Sequence, residues 1–275
     1  MKKIIKSIYR ATCGWLYPLL GKKPWKFGYV PYKFAQIRQA INNKNLNMAN
    51  LPAGYGHRID ERIVEYPWFF KALPKTHGKL LDAGSILNYP FLLDHDKLQN
   101  KQVYISTLAP ESDAFWGLGV SYIYEDLRDS CFRDDYFDWV TSLSTIEHIG
   151  LDNTMLYTDD KAKRENDRDG YLAAIVEFRR VLKPGGKLYL SMPYGEHQNR
   201  GWFQIFNAEM VNKIKVAFSP STFSEQYFQY TEQGWVNSSS EAAKNATYFD
   251  IHTEKNYGSD YAAASRAIIC LELTK

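Results

Sequence analysis

The stretch that most restricts the fold is residues 170–193, GYLAAIVEFRRVLKPGGKLYLSMP. Leu172, Ile175, Val176, Arg179 and Leu182 recur at helical intervals, and Asp169 stands where an N-cap belongs. Pro184 and the two glycines then stop the helix and turn the chain into the apolar strand KLYLSMP. Another strand candidate, YFDWVTSLS, precedes the helix, so the unit reads strand–helix–strand. Such a unit sets two strands parallel and lays helices over the sheet.

The alternation extends in both directions. ERIVEYPWFFKAL predicts a helix with Pro67 near its start or at a kink. KLLDAG, QVYISTL and VSYIYED read as strands, and SRAIICLEL closes the chain as one more. The expected fold class is α/β: a doubly wound, mostly parallel sheet. The polar run INNKNLNMANLPAGYG separates an N-terminal helical extension (1–50) from a main domain (51–275).

With 34 Lys and Arg against 31 Asp and Glu, net charge is +3, which gives no electrostatic case for nucleic acid. Cys13, Cys131 and Cys270 form neither a disulfide framework nor a zinc spacing, so a reducing, cytoplasmic setting is expected. Lys6 and Arg10 interrupt what would be the apolar core of a secretory leader. Residues 1–20 have an amphipathic helical pattern followed by the basic aromatic run GKKPWKFGYVPYKF. That pattern suits peripheral contact with the inner face of a membrane, or packing on the domain itself or on a second copy in a homodimer.

In open parallel sheets, ligands bind beyond the carboxyl ends of the strands. LLDAGS, ISTLAPE, YEDLRD and TSLSTIEHIG would converge there. Together with VLKPGGKLYLSMPYG, these segments resemble the ordered signature of class I S-adenosylmethionine-dependent methyltransferases over residues 55–200. The wider chain is similar to members of bacterial surface-polysaccharide assembly. The resemblance implies a seven-stranded Rossmann-like sheet, S-adenosylmethionine as cofactor and a C-terminal elaboration on the acceptor side. Asp82, Ala83, Gly84 and Ser85 would open the loop at the cofactor's methionine end. Thr107 and Leu108 would stand beside the ribose, Asp126 and Leu127 would take the adenine edge, and Ser144 with Thr145 would line the site below the sulfonium. Glu147 and His148 would sit close to the acceptor, His148 as general base or as a cap of the following turn, and Glu147 orienting it or shaping the site.

Two departures bear on this. Only Gly84 survives of the expected glycines, but S-adenosylmethionine carries no phosphates and needs no phosphate cradle. Thr107 replaces the usual ribose-binding acid, a loss of about 1–2 kcal/mol. Arg58 or Arg62 would hold the methionine carboxylate or serve as surface charge. His197 and the Asp250–His252 pair are further titratable groups near predicted strand ends or acceptor segments. Asp159, Asp160, Glu165, Asp167 and Asp169 interleave with Lys161, Lys163, Arg164 and Arg168, which reads as a salt-bridged loop rather than a metal site.

The acceptor expected is a small molecule or a glycan, nucleotide-sugar or lipid-linked sugar hydroxyl, with GWFQIFNAEM and SEQYFQYTEQGWV as stacking surfaces. The competing reading is a non-catalytic binding subunit of the same shape. An NAD-dependent oxidoreductase would need a second glycine-rich loop, and the sequence has none.

Overall fold

The computed structural model describes residues 12–158 and 160–275. The N-terminal amphipathic run therefore lies largely outside the described residues, as does Asp159. The chain divides into two compact units. One holds the described residues up to Ala72 with Tyr227–Ile268; the other holds Leu73–Gln226 with Ile269–Lys275.

The strands are β1 (Gly78–Ala83), β2 (Lys101–Thr107), β3 (Ser121–Tyr124), β4 (Phe137–Leu143), β5 (Leu182–Pro193), β6 (Thr222–Thr231), β7 (Gly234–Ser238) and β8 (Ala267–Thr274). They run in the order β3-β2-β1-β4-β5-β8-β6-β7. Neighbours among β1 to β5 are parallel, whereas β6 and β7 form an antiparallel hairpin. The sheet is thus mostly parallel and Rossmann-like, but has eight strands where seven are expected. The strands that no segment read from the sequence supplies are β6 and β7; Phe228 and Tyr230 of β6 and Trp235 of β7 are core residues. The C-terminal aromatic run expected to form a stacking surface is therefore mainly packing. β1 and β4 are buried almost throughout, the pattern of parallel strands covered on both faces.

The longer helices are α1 (Tyr29–Asn42), α2 (Arg62–Ala72), α3 (Tyr171–Val181) and α4 (Ala208–Phe218). Within their own units, α1 packs on α2 and α3 packs on α4. Pro67 sits inside α2 rather than at its start. Its ring nitrogen cannot donate to the Ile63 carbonyl, and the Tyr55 hydroxyl takes that role at 2.6 Å.

Helix α3 departs from the expected phase. Its buried face is Tyr171, Ala174, Ile175, Phe178 and Val181, while Val176 is 54% exposed. The two large rings outweigh the valine. Gly170, not Asp169, is the N-cap, and Asp169 instead pairs with Lys213. KPGG does not lie between helix and strand: α3 ends at Val181 and β5 starts at Leu182. The motif is looped out where the β4–β5 register jumps from Phe137↔Leu182 to Trp139↔Lys187. Gly186 fits there because a Cβ would come within 2.8 Å of the Lys183 carbonyl oxygen.

Candidate functional site

The second unit contains a topological switch point. β2 lies on one side of β1 and β4 on the other, so successive crossovers leave β1 and β4 in opposite directions. The carboxyl ends of β1, β2, β4 and β5 are aligned through Ala83↔Ser106, Asp82↔Thr141 and Leu143↔Ser191.

Asp82 is fully buried at the end of β1. Its carboxylate accepts the amides of Ile86 at 3.3 Å and Leu87 at 2.7 Å, folding the following loop back over the strand end. Gly84 has φ 121 and Ser85 φ 63, both left-handed. A side chain at Gly84 would collide with Thr145, so the glycine lets the ends of β1 and β4 close on each other. Ile86 and Leu87 are core residues and replace the missing glycines by anchoring the loop. Tyr89 is turned outward and 37% exposed. Asn88 accepts from the Tyr122 hydroxyl at 2.7 Å and donates to the Asp113 carbonyl, tying the loop to the segment after β2. The Ser85 hydroxyl is buried with no hydrogen-bond partner among the described residues.

Thr107 ends β2, and its carbonyl accepts from the Glu125 amide. Leu108, the next residue, is 51% exposed and forms one wall of a cleft of about 440 Å³. Pro110, Tyr157, Thr158, Lys163 and Glu165 also line it. The volume lies in the range of small-ligand sites.

Asp126 is not an open carboxylate. Arg128 grips both of its oxygens, with Nη2 at 2.6 Å from Oδ2 and Nε at 3.0 Å from Oδ1, and its other link is to Glu165 at 2.6 Å. Burial alone would raise the Asp126 pKa, but the Arg128 hydrogen bonds hold it below the ordinary value. Leu127 is buried beside it. Arg128 and Glu165 were not legible as site residues, since nothing local links positions so far apart.

Beyond β4, Ser144 is buried at φ 41 and donates its amide to Ser191. Glu147 is buried, and its carbonyl accepts the Gln204 amide. His148 Nδ1 lies 2.9 Å from the Trp202 carbonyl, and the two rings stack at 4.9 Å. A carbonyl only accepts, so Nδ1 carries the hydrogen and the basic lone pair belongs to Nε2. Trp202 is the one ring of GWFQIF left half-buried; Phe203 and Phe206 are core.

His197 also spends Nδ1 on a carbonyl, that of Ile205, at 2.8 Å. The remaining candidates lie in the other unit. Arg58 donates to the Gly21 carbonyl and covers the Tyr261 ring, and Arg62 pairs with buried Glu65. The Asp250 carboxylate accepts the His252 amide. In the acid-rich loop Glu165 and Asp169 are paired with Arg128 and Lys213.

An order-reversing, mostly parallel sheet with an acid–glycine loop at the switch point gives the second unit a Rossmann-like α/β fold. Residues 96–190 match the family described as a methyltransferase domain. The match runs from before β2 to within β5 and leaves the Asp82–Ser85 loop outside it. No curated protein matches the chain. Among solved structures, 1,6-didemethyltoxoflavin-N1-methyltransferase of Burkholderia thailandensis, with S-adenosylhomocysteine bound, is similar at 12% identity; the overlap covers 73% of this chain and 72% of that one, with TM-score 0.43. A SAM-dependent methyltransferase of Thermotoga maritima is 15% identical, covering 74% and 84% with TM-score 0.44.

Proposed function

We propose that this chain is an S-adenosylmethionine-dependent methyltransferase that acts on a hydroxyl of a glycan, nucleotide sugar or lipid-linked sugar. The observation that carries the reading is His148, held by the Trp202 carbonyl at the carboxyl end of β4 with its lone pair on Nε2. The family match over residues 96–190 supports the reaction class.

The residues fit the cofactor at its methionine end. The buried, unsatisfied Ser85 hydroxyl stands in a loop shaped by Asp82 and Gly84, and Leu108 offers an apolar wall for a flat ring. When bound, S-adenosylmethionine supplies a methyl group on a sulfonium cation, which already carries its leaving group. Asp82 keeps the loop in one conformation, and Gly84 allows the two strand ends to meet. His148 Nε2 takes the proton of the acceptor hydroxyl, while the Trp202 carbonyl orients the ring and stabilises the imidazolium. A hydroxyl needs such a base and a neutral amine does not, which favours oxygen as the acceptor atom. The exposed part of Trp202 beside His148 gives a sugar ring an apolar face to lie on.

Calorimetry tests the reading directly. Micromolar binding of S-adenosylmethionine is expected, and His148→Ala should lower turnover roughly 100-fold with that affinity unchanged. Normal turnover in the variant removes His148 as the base. One observation favours a non-catalytic binding subunit: Thr107 is neutral where the family carries a ribose-binding acid. Absence of cofactor binding at millimolar concentration would decide for that alternative.

A further inference from the structure

We propose that the stretch from Trp15 to Phe27 is a docking surface for a membrane carrying anionic lipid. Charge along the chain is strongly segregated. Of the 34 Lys and Arg, 11 fall in residues 1–59, which contain none of the 31 Asp and Glu. The small net charge of the whole chain conceals a basic end and an acidic remainder.

The same stretch exposes large apolar side chains. Trp15 and Leu19 are each 71% exposed, Leu20 60% and Phe27 55%. Lys23 and Lys26 are exposed among them. A tryptophan, leucines and a phenylalanine interspersed with lysines, and with no acid, suit the boundary between acyl chains and headgroups. The lysines then add attraction to anionic lipid.

This display is braced from behind, within its own unit. Arg58 donates to the Gly21 carbonyl at 2.6 Å, the Trp25 indole donates to the Ala263 carbonyl, and the Tyr257 hydroxyl donates to the Pro24 carbonyl. Lys22 and Trp25 are held at positive φ by this bracing. A surface already in its binding shape loses little order on docking. A second copy of the chain fits less well, because it would set lysine against lysine. Nucleic acid would match the lysines and leave the leucines without a partner.

The test is co-sedimentation of the full chain with vesicles of phosphatidylcholine alone, or with about one-third phosphatidylglycerol. Binding to the anionic vesicles is expected to be at least about 10-fold tighter and to weaken with salt. Trp15→Ser/Leu19→Ser/Phe27→Ser should weaken it at least about 10-fold. Lys23→Gln/Lys26→Gln should reduce the salt dependence. All five side chains are exposed, and unchanged circular dichroism verifies the fold. Residues 1–11 remain in each variant, so the loss belongs to the Trp15–Phe27 surface. The proposal is overturned if the wild type does not sediment with anionic vesicles, or if the apolar triple variant sediments equally. A dimer that the triple variant dissolves, with no lipid binding, overturns it too.

Discussion

Gly84 and Thr145 meet at the closest approach of the β1 and β4 ends: a Cβ on Gly84 would lie 2.2 Å from Thr145 Oγ1 and 2.8 Å from Thr145 Cβ. Gly84 also has φ 121, a region closed to side chains. Gly84→Ala is therefore expected to cost about 2–4 kcal/mol in urea denaturation, from overlap and backbone strain together. Thr145→Ala in that background should recover less than half. It removes the hydroxyl and methyl contacts but leaves the Cβ and the unfavourable φ. Full recovery would mean that the strain at φ 121 contributes nothing.

The Tyr55 hydroxyl and Pro67 are coupled through one carbonyl, that of Ile63. Tyr55→Phe should cost about 1–2 kcal/mol, the penalty for leaving a half-buried acceptor unmet. Pro67→Ala restores the helical N–H that can reach the same carbonyl. In a double-mutant cycle, Tyr55→Phe should then cost markedly less in the Pro67→Ala background than in the wild type. Equal costs in the two backgrounds would show that Pro67 leaves no vacancy for Tyr55 to fill.

What was legible in the sequence follows from the range of the interactions. β1, β2 and β4 are readable because each has a short apolar, β-branched or aromatic centre (Leu80–Leu81, Val103–Ile105, Trp139–Val140) followed by small or polar residues at the site. The phase of α3 is not legible from aliphatic spacing alone, because Val176 fits the apolar stripe whereas Tyr171 and Phe178 carry the buried face. β6 and β7 were hidden because Phe228 and Trp235 suggested a sugar surface, and only hairpin pairing shows them buried. Asp126 was recognised as a strand-end acid, but its capture by Arg128 and Glu165 depends on tertiary structure. Thr145 closing on Gly84 is likewise a consequence of the switch point, not of any local motif.

Glu61 predicts a pH dependence of stability. Burial, with Asp60 and Glu65 nearby, pushes its pKa up to about 8 from an ordinary 4.5, and its Oε2 accepts the Ser265 amide at 3.2 Å. The folded protein holds this proton where the unfolded chain has released it. Its contribution is complete below the unfolded pKa and is lost as pH rises through about 8. The melting temperature should accordingly fall from pH 5 toward pH 8. Glu61→Gln keeps an acceptor for Ser265 but cannot ionise, so it should flatten that slope. An unchanged slope in the variant would place the titration on another group.

Arg128 and Asp126 are expected to act as one unit in holding the cofactor. Arg128 fixes both carboxylate oxygens and is fixed in turn by Glu165 on the cleft wall. Asp126→Ala removes the carboxylate, and Arg128→Met removes what orients it. Each should weaken S-adenosylhomocysteine binding about 10-fold, with the double variant no worse than either single one. Because the guanidinium keeps the Asp126 pKa low, wild-type affinity should persist as pH falls through the usual carboxylate range. In Arg128→Met the same fall in pH should cost affinity earlier, since the carboxylate then protonates at a higher pH. Loss of binding in Asp126→Ala with none in Arg128→Met would mean that the carboxylate meets the ligand without help from the arginine.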